Sequence, residues 1–186
     1  MSNAVSALNG EVHKGFAEVA EAGLQGMITL RGDLSSAKLK KAVKDATGCD
    51  VPATRRIVMA GDKAVGWMSP DELLLLVPYA EAAATVASVE AALAGEHALV
   101  ADVSDARVTI RIRGEKAAEV LMKLCPVDFP SLAEGELRRT RAAQVAAALW
   151  RSGPEEFTLV SFRSVAGYVM GLLEHSARSG SEIFTA

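Results

Sequence analysis

Trp67-Met68-Ser69-Pro70-Asp71-Glu72 and, 83 residues further along, Trp150-Arg151-Ser152-Gly153-Pro154-Glu155-Glu156 are one stretch of chain written twice. In each, serine, proline and acidic residues form a turn. Proline presets φ for a tight reversal, and the short oxygen-bearing side chains bond their own backbone. Apolar runs flank both turns: Ala64 to Met68 with Leu73 to Val77, and Val145 to Trp150 with Phe157 to Phe162. Such runs, broken by turn residues, are the pattern of hairpin strands. Upstream, Arg31-Gly32-Asp33 returns as Arg113-Gly114-Glu115 at an offset of 82, so one loop residue absorbs the slip. The alignment places Trp67 and Trp150, the two tryptophans of the chain, at equivalent positions.

Outward from these anchors both halves read strand, helix, strand, turn, strand, helix. Leu24 to Arg31 is strand-like. Asp33 or Ser35 can cap a helix whose Leu34, Ala37, Leu39, Ala42 and Val43 recur at helical spacing, and Gly48 stops it. Arg56 to Ala60 opens the first hairpin across Gly61-Asp62, and Glu81 to Leu93 is an Ala-rich helix. In the second half Val108, Ile110 and Ile112 alternate with Thr109, Arg111 and Arg113, the period of a half-buried strand. Glu115 to Leu124 and Val165 to His175 are helical. Helices on one face of antiparallel strands make an α+β architecture. The expected organisation is an N-terminal arm, 1–22, free or laid on a partner, then one domain, 23–186, built of repeats at about 24–95 and 107–177.

Composition narrows the function. Twenty Lys and Arg against 23 Asp and Glu, for a formal charge of −3, give no bulk attraction to nucleic acid. No apolar run approaches the roughly 20 residues a membrane span needs. Met1 to Gly10 lacks the basic and apolar regions of a secretory signal, so a cytoplasmic setting is expected. The apolar surplus is mostly alanine, 33 residues, beside only 9 aromatics.

The reactive inventory is thin. His13, His97 and His175 lack metal-ligand spacing, and neither a dinucleotide fingerprint nor a phosphate loop is present. Cys49 and Cys125 read as buried free thiols. Asp102-Val103-Ser104-Asp105 reads as an acidic turn more readily than as an acid–base pair. The dense charge cluster is Arg138-Arg139-Thr140-Arg141, expected in a loop before the strand at Val145, with Arg151 and Arg163 near by in the same hairpin. Guanidinium groups fork onto carboxylates and phosphates, so these five arginines are candidate partner or anion contacts. Trp67 and Trp150 are candidate structural or interface anchors.

Gly66-Trp67-Met68-Ser69-Pro70-Asp71-Glu72-Leu73-Leu74-Leu75 resembles the Trp-x-x-Pro-Asp-Glu-x-Leu-Leu signature of the gamma subunit of heterotetrameric sarcosine oxidase. Ala101 to Asp105, the strand from Val108 to Arg113 with Gly114, Leu121 to Asp128, Arg139-Thr140-Arg141 and Leu149-Trp150-Arg151 follow in that family's order. The likeness runs from about Leu24 to Ala177. The family is similar to a shortened glycine-cleavage T-protein, a folate-binding fold, and Asp102-Val103-Ser104 resembles the T-protein Asp-Val-Ser. T-proteins carry a functional aspartate in a Gly-Gly-x-x-Asp-Asp hairpin; here the similar position reads Gln144-Val145-Ala146-Ala147-Ala148-Leu149, with no carboxylate.

The resemblance implies a non-catalytic chain within a complex that demethylates sarcosine oxidatively to glycine and passes the one-carbon unit to tetrahydrofolate. It implies alpha, beta and delta subunits as partners. FAD, FMN, NAD, tetrahydrofolate and zinc would sit on those subunits, and this chain would hold no catalytic, cofactor or metal residue. The alternative is a self-standing folate-binding one-carbon protein of T-protein type, with the Arg138 to Arg141 cluster on the folate glutamate and Asp102 or Asp105 supplying a carboxylate.

Overall fold

A computed structural model describes residues 4–184. In chain order the elements are β1 (Val12–Lys14), β2 (Glu18–Glu21), β3 (Gly26–Arg31), α1 (Ala37–Thr47), β4 (Ile57–Ala60), β5 (Lys63–Ser69), β6 (Glu72–Val77), α2 (Ala82–Ala92) and β7 (Leu99–Asp102). There follow β8 (Arg107–Arg113), α3 (Ala117–Met122), β9 (Leu137–Ala142), β10 (Val145–Gly153), β11 (Glu156–Phe162) and α4 (Ala166–Ser176). Two compact units result: one spans Gln25 to Asp105, the other joins the chain up to Leu24 with everything from Ala106.

Each unit is an antiparallel sheet with helices on one face. The first has strand order β4-β5-β6-β3-β7, the second β1-β2-β8-β11-β10-β9. Reading β9-β10-β11-β8-β2 against β4-β5-β6-β3-β7, the duplication is complete strand for strand. The place that β7 takes after the first repeat is taken in the second by β2, which comes before it.

The described part of the expected arm, residues 4–22, is therefore not free but carries two strands of the second sheet. Val12, His13 and Lys14 pair with Ala20, Val19 and Glu18, and β2 pairs with β8 from Glu18↔Arg113 to Glu21↔Ile110. Val19 is fully buried. Strands of three and four residues are too short to display a period, and β8, which joins β2 to the sheet, lies about ninety residues away in sequence. Glu21, itself buried, ties the preceding loop down by accepting from Ser6 Oγ at 2.7 Å, Leu8 N at 3.0 Å and Gly10 N at 2.7 Å. Residues 1–3 lie outside the described residues.

The Arg-Gly-acid duplication has a physical cause. Gly32 N–H donates to Asp71 O at 3.0 Å, and Gly114 N–H to Glu155 O at 2.9 Å. Arg31 Nη2 lies 3.4 Å from Glu72 Oε2, and Arg113 Nε lies 2.6 Å from Glu156 Oε2. The end of the first strand of each repeat thus closes the turn of its hairpin. Exposed ion pairs contribute at most about 1 kcal/mol, so the pairs mainly set register.

The tryptophans, however, are not equivalent. Trp67 N–H donates to Arg56 O and Arg151 N–H to Glu136 O; both hairpins bulge at the next residue and close through Ser69↔Glu72 and Gly153↔Glu156. Trp67 thus corresponds to Arg151, and Trp150 to Gly66. A one-residue offset in a strand sends a side chain to the opposite face. Trp150 is buried, 4% exposed, with Thr158 on the face away from the helices; Trp67 is paired with Leu73, on the helix side.

The cores follow from alternation. In the Gln25–Asp105 unit Ile28, Leu30, Val65, Leu73 and Leu75 meet Leu39 and Val43 of α1 and Val89 of α2. In the other unit Ile110, Ile112, Leu149, Phe157 and Leu159 meet Val120 and Leu121 of α3 and Val169 and Leu173 of α4. Leu74 and Leu76 are buried as well, which is why β6 is apolar from Leu73 to Val77 and does not alternate.

Helix α1 begins one residue beyond the expected cap. Ser36 Oγ accepts from Leu39 N–H at 3.3 Å, while Gly48, at φ 74°, closes the C-terminus by donating to Lys44 O. Asp33 instead accepts from Ser35 N at 2.8 Å and Ser35 Oγ at 2.7 Å, bonds that hold its carboxyl below the usual carboxylate range. Ser36→Ala is expected to cost about 1 kcal/mol, read as a lower denaturant midpoint at unchanged slope; an unshifted midpoint would show the cap to be dispensable.

Candidate functional site

The arginine cluster lies on a strand, not in a loop. Leu137–Ala142 pairs along its whole length with β10 and forms one edge of the six-stranded sheet, opposite β1. The two-residue turn beyond it, Ala143-Gln144, places Ala143 at φ 51°. Consecutive arginines in a strand point to opposite faces. Arg138 pairs with Leu149 on the helix side, half-buried, its guanidinium on the Glu136 carboxylate. Arg139 and Arg141 project from the other face and are exposed.

Arg151 and Arg163 are not brought to this group. Arg151 donates from Nε to Gly153 O at 3.2 Å, from Nη1 to Leu132 O at 3.3 Å and from Nη2 to Pro154 O at 2.6 Å. Its fork is spent in locking a loop onto the hairpin turn. Arg163, past the far end of β11, donates to Val5 O at 2.8 Å and Ser6 O at 3.4 Å.

Asp102 accepts from Ser104 N at 2.9 Å and Ser104 Oγ at 2.5 Å, and Ser104 Oγ accepts from Met27 N at 2.9 Å. The segment is thus a closed turn that anchors β7 to β3. Asp105 accepts from the Tyr79 hydroxyl at 3.0 Å. Among the described residues, no group of three or more His, Cys, Asp and Glu is placed to hold a metal ion. No described helix is long and apolar enough to cross a membrane.

Cys49 and Cys125 are buried and unbridged. Burial pushes the Cys125 thiol up from 9.0 to about 12, since a thiolate there would lose its hydration. The folded chain thus resists an ionisation that the unfolded chain accepts. This contribution to stability is whole below pH 9 and is lost as pH rises toward 12. Iodoacetamide at pH 8 is expected to leave Cys125 of the native chain unmodified by intact mass and to alkylate it after denaturation; rapid native labelling would contradict the burial.

Two clefts open on the Gln25–Asp105 unit. One, of about 500 Å³, is lined by Arg31, Gly32, Asp33, Asp71, His97, Ala98 and Leu99, and its guanidinium is already shared between Asp71 and Glu72. The other, of about 590 Å³, is lined by Leu34, Lys40, Val51, Pro52, Ala53, Thr54, Trp67 and Pro70. This groove rests on the quoted hairpin turn. Sequence reasoning singled out Trp67 and missed the groove, because residues 51–54 show no period and reach Trp67 only through the fold.

Two antiparallel sheets with helices on one face of each, arising by duplication, define a T-protein-type fold. The chain superposes on the glycine cleavage system aminomethyltransferase T from Bartonella henselae with a TM-score of 0.65 at 18% identity, over 93% of this chain and 48% of that one. That likeness is one of fold. A chain of the heterotetrameric sarcosine oxidase from Corynebacterium sp. U-96 matches with a TM-score of 0.82 at 26% identity, covering 94% of this chain and 91% of that one. The sarcosine oxidase subunit gamma of an Arthrobacter species is 32% identical over 142 residues, 75% of this chain and 68% of the relative. Against two Corynebacterium gamma subunits the matched stretch is 59% and 60% of the relative's length, less than two thirds. Residues 31–178 match the sarcosine oxidase gamma subunit family, and the chain belongs to that family.

Proposed function

We propose that the chain serves a sarcosine oxidase complex as an assembly subunit, contributing surface and architecture while the chemistry proceeds elsewhere. The observation that carries this is the likeness to a chain of the heterotetramer over nearly the whole of both chains. The reading is supported by the hairpin where T-proteins resemble this chain, which bears Gln144 in its turn and Val145, Ala146, Ala147, Ala148 and Leu149 along β10, without a carboxylate. In this reading alpha, beta and delta subunits are the partners. They hold FAD, FMN, NAD, tetrahydrofolate and zinc, sarcosine loses its methyl group at a flavin, and the one-carbon unit leaves on tetrahydrofolate. Arg139 and Arg141, exposed on an edge strand, serve as contacts to a neighbouring subunit; Arg138, Arg151, Arg163 and Trp150 are architectural.

The test is affinity purification of the tagged chain from its own cells, with mass spectrometry and a visible absorbance scan. A yellow complex containing the other sarcosine oxidase subunits is expected, whereas the lone chain should be colourless and inactive on sarcosine. Sarcosine turnover by the lone chain would overturn the proposal. Saturable binding of tetrahydrofolate to the lone chain would favour the self-standing folate protein.

A further inference from the structure

The two repeats differ at one position that decides the shape of a surface. The backbone bonds Arg56 N–H to Ala53 O and Glu136 N–H to Ala133 O, both 3.0 Å, make the loop before β4 the counterpart of the loop before β9. In the second repeat Arg151 holds that loop through Leu132 O while binding two carbonyls of the turn, and Leu132 is buried, 1% exposed. In the first repeat Trp67 stands where Arg151 does. An indole has a single N–H donor and cannot bind three carbonyls together. The groove of about 590 Å³ remains beside it.

Its apolar surface comes from Trp67, Pro52, Pro70, Leu34 and Val51, and Lys40 is the charged residue of its lining. Asp33, which feels the Lys40 charge, has its carboxylate turned to Ser35. Lys40, whose charge acts on Asp33 without a hydrogen bond to it, supplies the positive charge at the rim of the groove. Arg55, exposed and held at φ 62°, follows the lining residue Thr54 in the chain. Small-molecule sites converge several polar groups on the ligand, whereas this lining offers one ammonium and one hydroxyl around a tryptophan. Tryptophan is enriched among the residues that anchor protein interfaces, and Trp67 is partly exposed here.

We propose that the Trp67 groove receives an apolar side chain flanked by a carboxylate, carried by another subunit of the complex. The apolar group packs on the indole and the two prolines; the carboxylate pairs with Lys40. This inference rests on the assembly role proposed above and adds to it the site and the chemistry of the contact.

The test compares tagged wild-type chain with Trp67→Ala, Lys40→Glu and Lys41→Glu in binding to the remaining subunits, followed by interferometry over a range of salt. Lys41, paired with Asp45 outside the groove, is the control. Trp67→Ala is expected to weaken binding about thirtyfold and Lys40→Glu several-fold with a flatter salt dependence, while Lys41→Glu binds as wild type. Lys40 is exposed, so its variant tests the groove without endangering the fold. In a second readout the chain alone carries 5-fluorotryptophan, and its two fluorine resonances are assigned with Trp67→Phe. Assembly should shift the Trp67 resonance and remove its solvent isotope effect. Wild-type affinity in both groove variants, or an unmoved Trp67 resonance in the intact complex, overturns the proposal and leaves the assembly role standing. Failure of the wild-type chain to bind any sarcosine oxidase subunit overturns the assembly role itself.

Discussion

Gly15→Ala should unfold this chain about 10 °C earlier than wild type. A Cβ at residue 15 would lie 1.8 Å from Ala177 O and 2.7 Å from Ala177 C, both backbone atoms at the end of α4 that no rotamer change can move aside. Relief requires the β1–β2 connection to lift away. That breaks the Phe16 N–H bond to Ala177 O, 2.9 Å, and loosens Ala17 and Val19 from the core. Overpacking of this kind costs about 1–3 kcal/mol and the lost hydrogen bond about 1 kcal/mol more. At about 2–4 °C per kcal/mol for a chain of this size, the shift follows. Gly171→Ala is the matched control. Gly171 is exposed on α4 with nothing within 4 Å of its would-be Cβ, so alanine should gain roughly 0.5–1 kcal/mol by helix propensity. Equal melting temperatures for the two variants would contradict the docking of β1 and β2 against α4.

Leu75→Ala carries the other large effect. Leu75 is fully buried at the centre of β6, opposite Ile28 on one side and Val65 on the other, within the core that supports the Trp67 hairpin. Truncation loses the transfer energy of three carbons and leaves a cavity the strands cannot fill, about 3–5 kcal/mol in all. Urea unfolding should show it as a lower midpoint, and amide exchange should quicken first in β5 and β6. Leu99→Ala, at a residue 54% exposed, should stay within about 0.5 kcal/mol of wild type. A mild Leu75→Ala would mean that the core of this unit is looser than its burial indicates.

The candidate site was half legible in sequence. Trp67 and the arginines stood out by residue type and by their place around turns. Their division could not be seen in advance: Arg138, Arg139 and Arg141 are split between two faces because the segment is a strand, and Arg151 is consumed by carbonyls of its own turn and of residue 132. A row of arginines looks alike in a loop and on a sheet edge until a pairing partner is known.

Local grammar and its repetition were legible in the chain of residues. The Ser-Pro-acid turns, the Arg-Gly-acid strand ends, the Gly48 stop of α1 and the alternation of β8 are set by neighbours within a few residues, where backbone preference and side-chain period act directly. Tertiary structure alone decided that residues 12–21 complete a sheet, that Trp67 answers to Arg151 rather than to Trp150, and that a groove opens beside it. Each of these depends on register between strands distant in sequence. Register is chosen by the burial of whole faces and by the bulge and turn that close each hairpin, and a one-residue difference there reverses a side chain without leaving any mark in the local sequence.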